Sequence, residues 1–150
     1  MWSSIIAVIG TLLGSVTAYV LQQRAARAER AETRAEDLRT RQLAAIAELV
    51  AALADHRRAM WVREDLALSG PTDAYAAARA ASHETRSALT VPLLTVSLIL
   101  PALAESAQDA AKATYALRGA PDARTLADLR DDALVAANRL VADAATVLAA

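Results

Sequence analysis

A chain of 150 residues with a net charge of −1 and no cysteine leaves room for one small domain beside a short appendage. Sixteen basic residues against seventeen acidic ones exclude a general polycationic nucleic-acid binder, and the missing cysteines exclude disulfides and thiolate metal sites. Hydrophobic residues make up 55% of the chain but aromatics only 3%, with no Phe. The excess is alanine, the best helix former and a poor core filler, which predicts long, closely packed helices and no sheet.

Residues 2–21 carry no charge. Twenty residues at roughly 1.5 Å rise make a rod of about 30 Å, the thickness of a bilayer's hydrocarbon core. Arg24, Arg27, Arg30, Arg34, Arg39 and Arg41 follow, and no lysine or arginine precedes the stretch. The positive-inside rule therefore predicts a single-pass cell-membrane anchor over 1–21, its N-terminus outside and the remaining chain in the cytoplasm. A cleaved secretory signal would carry its charge ahead of the apolar core and a small-residue site behind it, so a retained anchor is expected. Gly10 and Gly14 form a small-xxx-small motif that Ser3, Ala7 and Ala18 extend along one face. Small residues there let two helix backbones approach closely, which predicts a homo-oligomer in the membrane; the alternative is that glycine is merely common in such spans.

Residues 22–42 form a charged helical neck, with Arg34–Asp37, Glu36–Arg39 and Asp37–Arg41 at helical spacing, each pair worth ~0.3 kcal/mol. Glu29, Glu32, Glu36 and Asp37 interleave with the arginines, so a topological and solvating role outweighs headgroup binding. From Leu43 an apolar stripe begins: Leu43, Ile46, Val50, Leu53 and Met60. Span, neck and stripe read as one helix over about 2–68, stopped by Ser69-Gly70-Pro71. Thr72 or Asp73 is expected to cap the next helix. Pro92 predicts a kink or short break near 90–92, and Pro101 a second kink or a fresh first turn. Gly119-Ala120-Pro121-Asp122 marks the last boundary. A final helix over 122–149 repeats Leu126, Leu129, Ala133, Ala136, Leu140 and Val147 at near-heptad spacing, with Asp143 as the misfit. The fold class is all-α: an N-terminal transmembrane helix continuing into a long helix, with an alanine-rich antiparallel bundle of three or four helices over 43–150.

Residues 87–104 are uncharged and apolar enough to be read as a second span. Two internal prolines, and the need of the stripes at 43–62 and 122–149 for a central partner, favour a buried core helix instead. The second crossing stays open as the alternative.

A polar cluster flanks the first hairpin. If the turn centres on Gly70 and the two helices run antiparallel, residues whose numbers sum to about 140 face each other. His56 then meets Glu84, Arg57 meets His83, and Trp61 comes near Arg79, with Arg86 a turn away. The Glu-x-x-His pairs of a helical-bundle metal centre do not occur, and the arginines would oppose a cation. A salt-bridge and hydrogen-bond cluster that sets hairpin register is the expectation, with Trp61–Arg79 as a cation–π pair and a protein-docking surface as the next reading. Phosphate loops, nucleophile elbows and triad-like settings do not occur, so no enzyme, cofactor, metal, small-molecule substrate or direct nucleic-acid contact is expected.

The opening Met-Trp-Ser-Ser-Ile-Ile-Ala-Val-Ile-Gly-Thr-Leu-Leu-Gly, the run His56-Arg57-Arg58-Ala59-Met60-Trp61, the run Ser82-His83-Glu84-Thr85-Arg86-Ser87-Ala88 and the run Ala113-Thr114-Tyr115-Ala116-Leu117-Arg118 together resemble a family. It is that of the KilB-type, plasmid-spread (Kil/Spd-like) small actinobacterial membrane proteins. The resemblance covers nearly the whole chain and implies a membrane protein that assists intramycelial plasmid spread. Two roles follow as expectations: a membrane-anchored scaffold that recruits protein partners, or a membrane-active, holin-like protein in which 87–104 also inserts.

Overall fold

The computed structural model describes residues 2–149, with side chains described at 22, 23 and 27 and from 29 onward. Helix α1 runs Trp2–Ser69, α2 Thr72–Ile99, a 3-10 turn Pro101–Leu103, α3 Ala104–Tyr115 and α4 Ala123–Ala149. No strand occurs among the described residues. The chain divides into two units, Met1–Thr40 and Arg41–Ala150. The side chains of the expected anchor over 1–21, including the pairing face Ser3, Ala7, Gly10, Gly14 and Ala18, lie outside the described residues. Among the described residues no helix is long and apolar enough to cross a membrane.

In the first unit, residues 29–40 are exposed on every side. The expected pairs Arg34–Asp37, Glu36–Arg39 and Asp37–Arg41 do not close: the ion pairs among the described residues are Arg63–Glu64 and Lys112–Asp109. Holding two long exposed side chains together costs about as much entropy as the screened attraction returns. Instead the Thr33 and Thr40 hydroxyls donate to the carbonyls of Glu29 and Glu36, each at 2.9 Å.

In the second unit α1 buries Ala45, Ile46, Leu49, Leu53 and Met60. Leu43, expected on this stripe, is 51% exposed, and Val50 is only half-buried. The buried face runs 45–49–53–56–60, to one side of the 43–46–50 pattern. It packs on Ala107, Ala110 and Ala111 of α3 and on Leu140 and Ala144 of α4. Methyl-sized residues let these helices approach closely, and each fully buried leucine contributes roughly 1.5–3 kcal/mol relative to exposure. A second cluster joins Met60 to Leu117, Ala120, Leu126 and Ala133. Leu126, Ala133 and Leu140 keep the seven-residue spacing on α4. This cluster holds the later Met60 of α1 with the early Leu126 and Ala133 of α4, and the other holds the earlier Ala45 and Ile46 with the later Leu140 and Ala144, so α4 runs antiparallel to α1.

The connections account for the breaks. The Gly70 amide donates to the Leu66 carbonyl at 2.8 Å, and a Cβ there would meet the Leu66 Cα at 2.9 Å, which only glycine avoids. Neither Thr72 nor Asp73 caps α2. Extended Pro71 (φ −69°, ψ 146°) holds the cap position without a side-chain bond, because its ring already sets the entry angle. Pro92 does not end α2, which continues to Ile99. The stop is Leu100 (φ −134°, ψ 69°), where the following Pro101 disfavours helical geometry. Segment 87–104 is therefore not one continuous helix but the end of α2, the 3-10 turn and the first residue of α3. It buries Leu89, Val96, Leu100 and Leu103, and exposes Val91 (70%), Leu94 and Leu98 (69%). Gly119 takes φ +77°, and the Asp122 carboxylate accepts the Thr125 amide at 2.7 Å to cap α4.

Candidate functional site

The antiparallel register expected for α1 and α2 is the one observed. Glu48 and Pro92, Asp55 and Thr85, and Val62 and Ala78 border shared grooves, each pair summing to 140. What sequence spacing did not set was which side chains turn inward. His56 falls on the buried stripe between Leu53 and Met60, and its neighbour across the interface is Thr85 rather than Glu84.

The Thr85 hydroxyl donates to the Ala81 carbonyl at 3.1 Å, so its oxygen is free to accept from His56 Nδ1–H at 2.9 Å. With the Thr85 proton committed to that carbonyl, Nδ1 carries the hydrogen and Nε2 the lone pair. Nε2 is buried and without a hydrogen-bond partner. The Tyr115 ring meets the imidazole edge-on, with centroids 5.5 Å apart, and the Arg86 guanidinium lies 4.3 Å from the centre of that ring. Imidazole, phenol ring and guanidinium thus tie α1, α3 and α2 together. Burial first, then the positive charges of Arg86 and Arg63, lowers the His56 pKa to about 4. The ring is neutral at neutral pH.

Towards the Gly70 end, Glu64 is buried and accepts the Gly119 amide at 3.0 Å, tying α1 to the turn before α4. Arg63 lies 3.3 Å from the other Glu64 oxygen but is misaligned for a hydrogen bond. A second Arg63 nitrogen reaches the Met60 sulfur at 3.9 Å. Ser82 and Thr114 are buried with their hydroxyls returned to the carbonyls of Arg79 and Ala110.

The remaining expected residues separate. Arg79 and His83 border a shallow groove along α2 with Thr72 and Tyr75, and Glu84 faces solvent. Trp61 turns away from Arg79: its cation partner is Arg130 of α4, 5.7 Å from the ring centre. Arg57 goes with Trp61, lining a cavity of about 160 Å³ with Ala54, Arg58 and Arg130. Burial, then Arg130 and Arg58, lowers the Arg57 pKa. Spacing placed Glu64 in the polar cluster beside the hairpin without a partner, and it missed Tyr115 and Arg130. Tyr115 lies inside one of the quoted runs, whereas nothing local pairs Trp61 with Arg130, which meet only because α4 packs beside α1. No group of three or more His, Asp or Glu side chains that could hold a metal occurs among the described residues.

An alanine- and leucine-cored antiparallel helical bundle, keyed by one buried imidazole and one buried carboxylate, is the class that fold and site define. The chain belongs to the KilB plasmid transfer protein family, which residues 43–148 match. It is 55% identical over 146 residues to Protein KilB of Streptomyces lividans, covering 97% of each chain. No solved structure matches it.

Proposed function

We propose that this chain is a membrane-anchored, non-enzymatic interaction protein that assists plasmid spread. Residues 2–21 hold it in the cell membrane with the N-terminus outside, and the 41–150 bundle recruits protein partners on the cytoplasmic side. Copies associate through the Gly10–Gly14 face. The observation that carries this reading is similarity to Protein KilB along 97% of both chains, N-terminal stretch included. The uncharged run at 2–21 with arginines only behind it supports the anchor and its direction. The exposed apolar stripe Val91, Leu94 and Leu98 supports protein contact.

The test is deletion in a mycelial host followed by complementation, scored as the distance a marked plasmid travels. The full chain restores spread and a chain lacking 2–21 does not; unchanged spread on deletion refutes the role. Topology is read separately with Tyr75→Cys and Ala145→Cys, since the chain has no native thiol. Neither cysteine reacts with an impermeant reagent outside intact cells if the chain crosses once. Labelling of position 145 alone establishes a second crossing.

A further inference from the structure

The cavity between α1 and α4 collects three guanidiniums and no counter-charge. Arg57 and Arg58 come from one turn of α1, and Arg130 comes from the facing turn of α4. Among the described residues no carboxylate lies within ion-pair distance of any of the three. Arg57 is half-buried and repelled by both neighbours, an arrangement that costs stability unless something anionic relieves it. The Arg130 guanidinium lies 5.7 Å from the centre of the Trp61 ring, within reach of a cation–π contact that favours orienting its planar fork along that wall. Arg58 also borders the groove that holds Asp55, so it can serve either side.

We propose that Arg57, Arg58 and Arg130, with Trp61 as the wall, bind a phosphate group. Guanidinium forks match phosphate oxygens in pairs, and three of them neutralise a dianion. At about 160 Å³ the cavity is below the ~300–1,000 Å³ of sites that enclose a whole drug-sized molecule. It takes the phosphate alone, presented by a soluble ion or by a lipid headgroup. This site stands independently of the role in plasmid spread.

The test titrates the full chain in neutral detergent with inorganic phosphate at constant ionic strength, by calorimetry. In parallel, binding is measured to phosphatidylcholine vesicles with and without phosphatidic acid. Saturable phosphate binding that Arg57→Gln and Arg130→Gln each weaken roughly tenfold or more, and Arg118→Gln leaves alone, supports the site with a soluble ligand. The same sensitivity seen only with phosphatidic acid vesicles supports it with a headgroup. Arg57→Gln relieves repulsion, so it should melt at or above the temperature of the unchanged protein. A lower melting temperature would mark Arg57 as structural and overturn the proposal. So would equal binding in the variants, or no saturable binding in either arm.

Discussion

His56 makes the stability of the bundle depend on acid. In the unfolded chain an imidazole takes up its proton near pH 6.5, whereas in the folded chain it does so only at about 4. Between those values the unfolded state binds more protons, so stability falls as pH falls. His56's contribution is full above pH 6.5 and lost by about pH 4. A gap of about 2.5 pH units at ~1.36 kcal/mol each makes the loss about 3 kcal/mol, a large part of a small domain's stability. The perturbation that isolates it is His56→Asn. An asparagine amide in place of Nδ1–H still donates to Thr85 but carries nothing that titrates. It also gives up the ring contact with Tyr115, so the variant starts from a lower stability at pH 7. Urea unfolding followed by circular dichroism at pH 7.5, 6.5, 5.5 and 4.5 reads the difference. The unchanged protein loses stability relative to the variant over this range, and the two curves converge. Parallel curves would refute the assignment of a buried neutral imidazole, since every other titrating group is common to both proteins.

Three further outcomes follow from packing and caps. Leu49→Ala, at a fully buried position, should cost about 2–5 kcal/mol, while Leu43→Ala stays within about 0.5 kcal/mol; equal losses in urea titrations would mean the α1 face is misassigned. Gly119→Ala meets no atom within 4 Å but forces a side chain onto a left-handed backbone, and should cost about 1–2 kcal/mol by thermal melting. Asp122→Ala should lower the melting temperature at pH 7 by removing the cap on α4. The Thr125 amide holds the Asp122 carboxyl below its usual range, so the capping contribution is present above that range and lost on acidification. The gap between variant and unchanged protein therefore closes in acid, and a pH-independent gap would show that the cap acts through something other than the charge.

Much of this architecture was legible along the chain. Gly70-Pro71, Pro101 and Gly119-Ala120-Pro121-Asp122 end or start helices for reasons local to a few residues, namely a missing amide, a fixed φ or a left-handed turn. The heptad on α4 and the antiparallel register of α1 with α2 follow from periodicity and a short turn. Rotation about each helix axis was not legible. In an alanine-rich helix several faces are apolar enough to bury, and a shift of one residue replaces Glu84 by Thr85 opposite His56. The electrostatic sites were legible in part: His56, Arg57 and Trp61 stood out by type. Their partners Tyr115 and Arg130 lie more than fifty residues away, on helices whose placement only the closed bundle decides.

Sequence alone determined an all-helical chain, most of its helix boundaries and its membership of a plasmid transfer family, because propensity, chain stops and family resemblance are carried by neighbouring residues. Tertiary structure decided which hydroxyl the buried imidazole meets, which carboxylate is buried and where three arginines meet. Those depend on the angle at which each helix presents itself to the others, and that angle is set by packing rather than by any one segment.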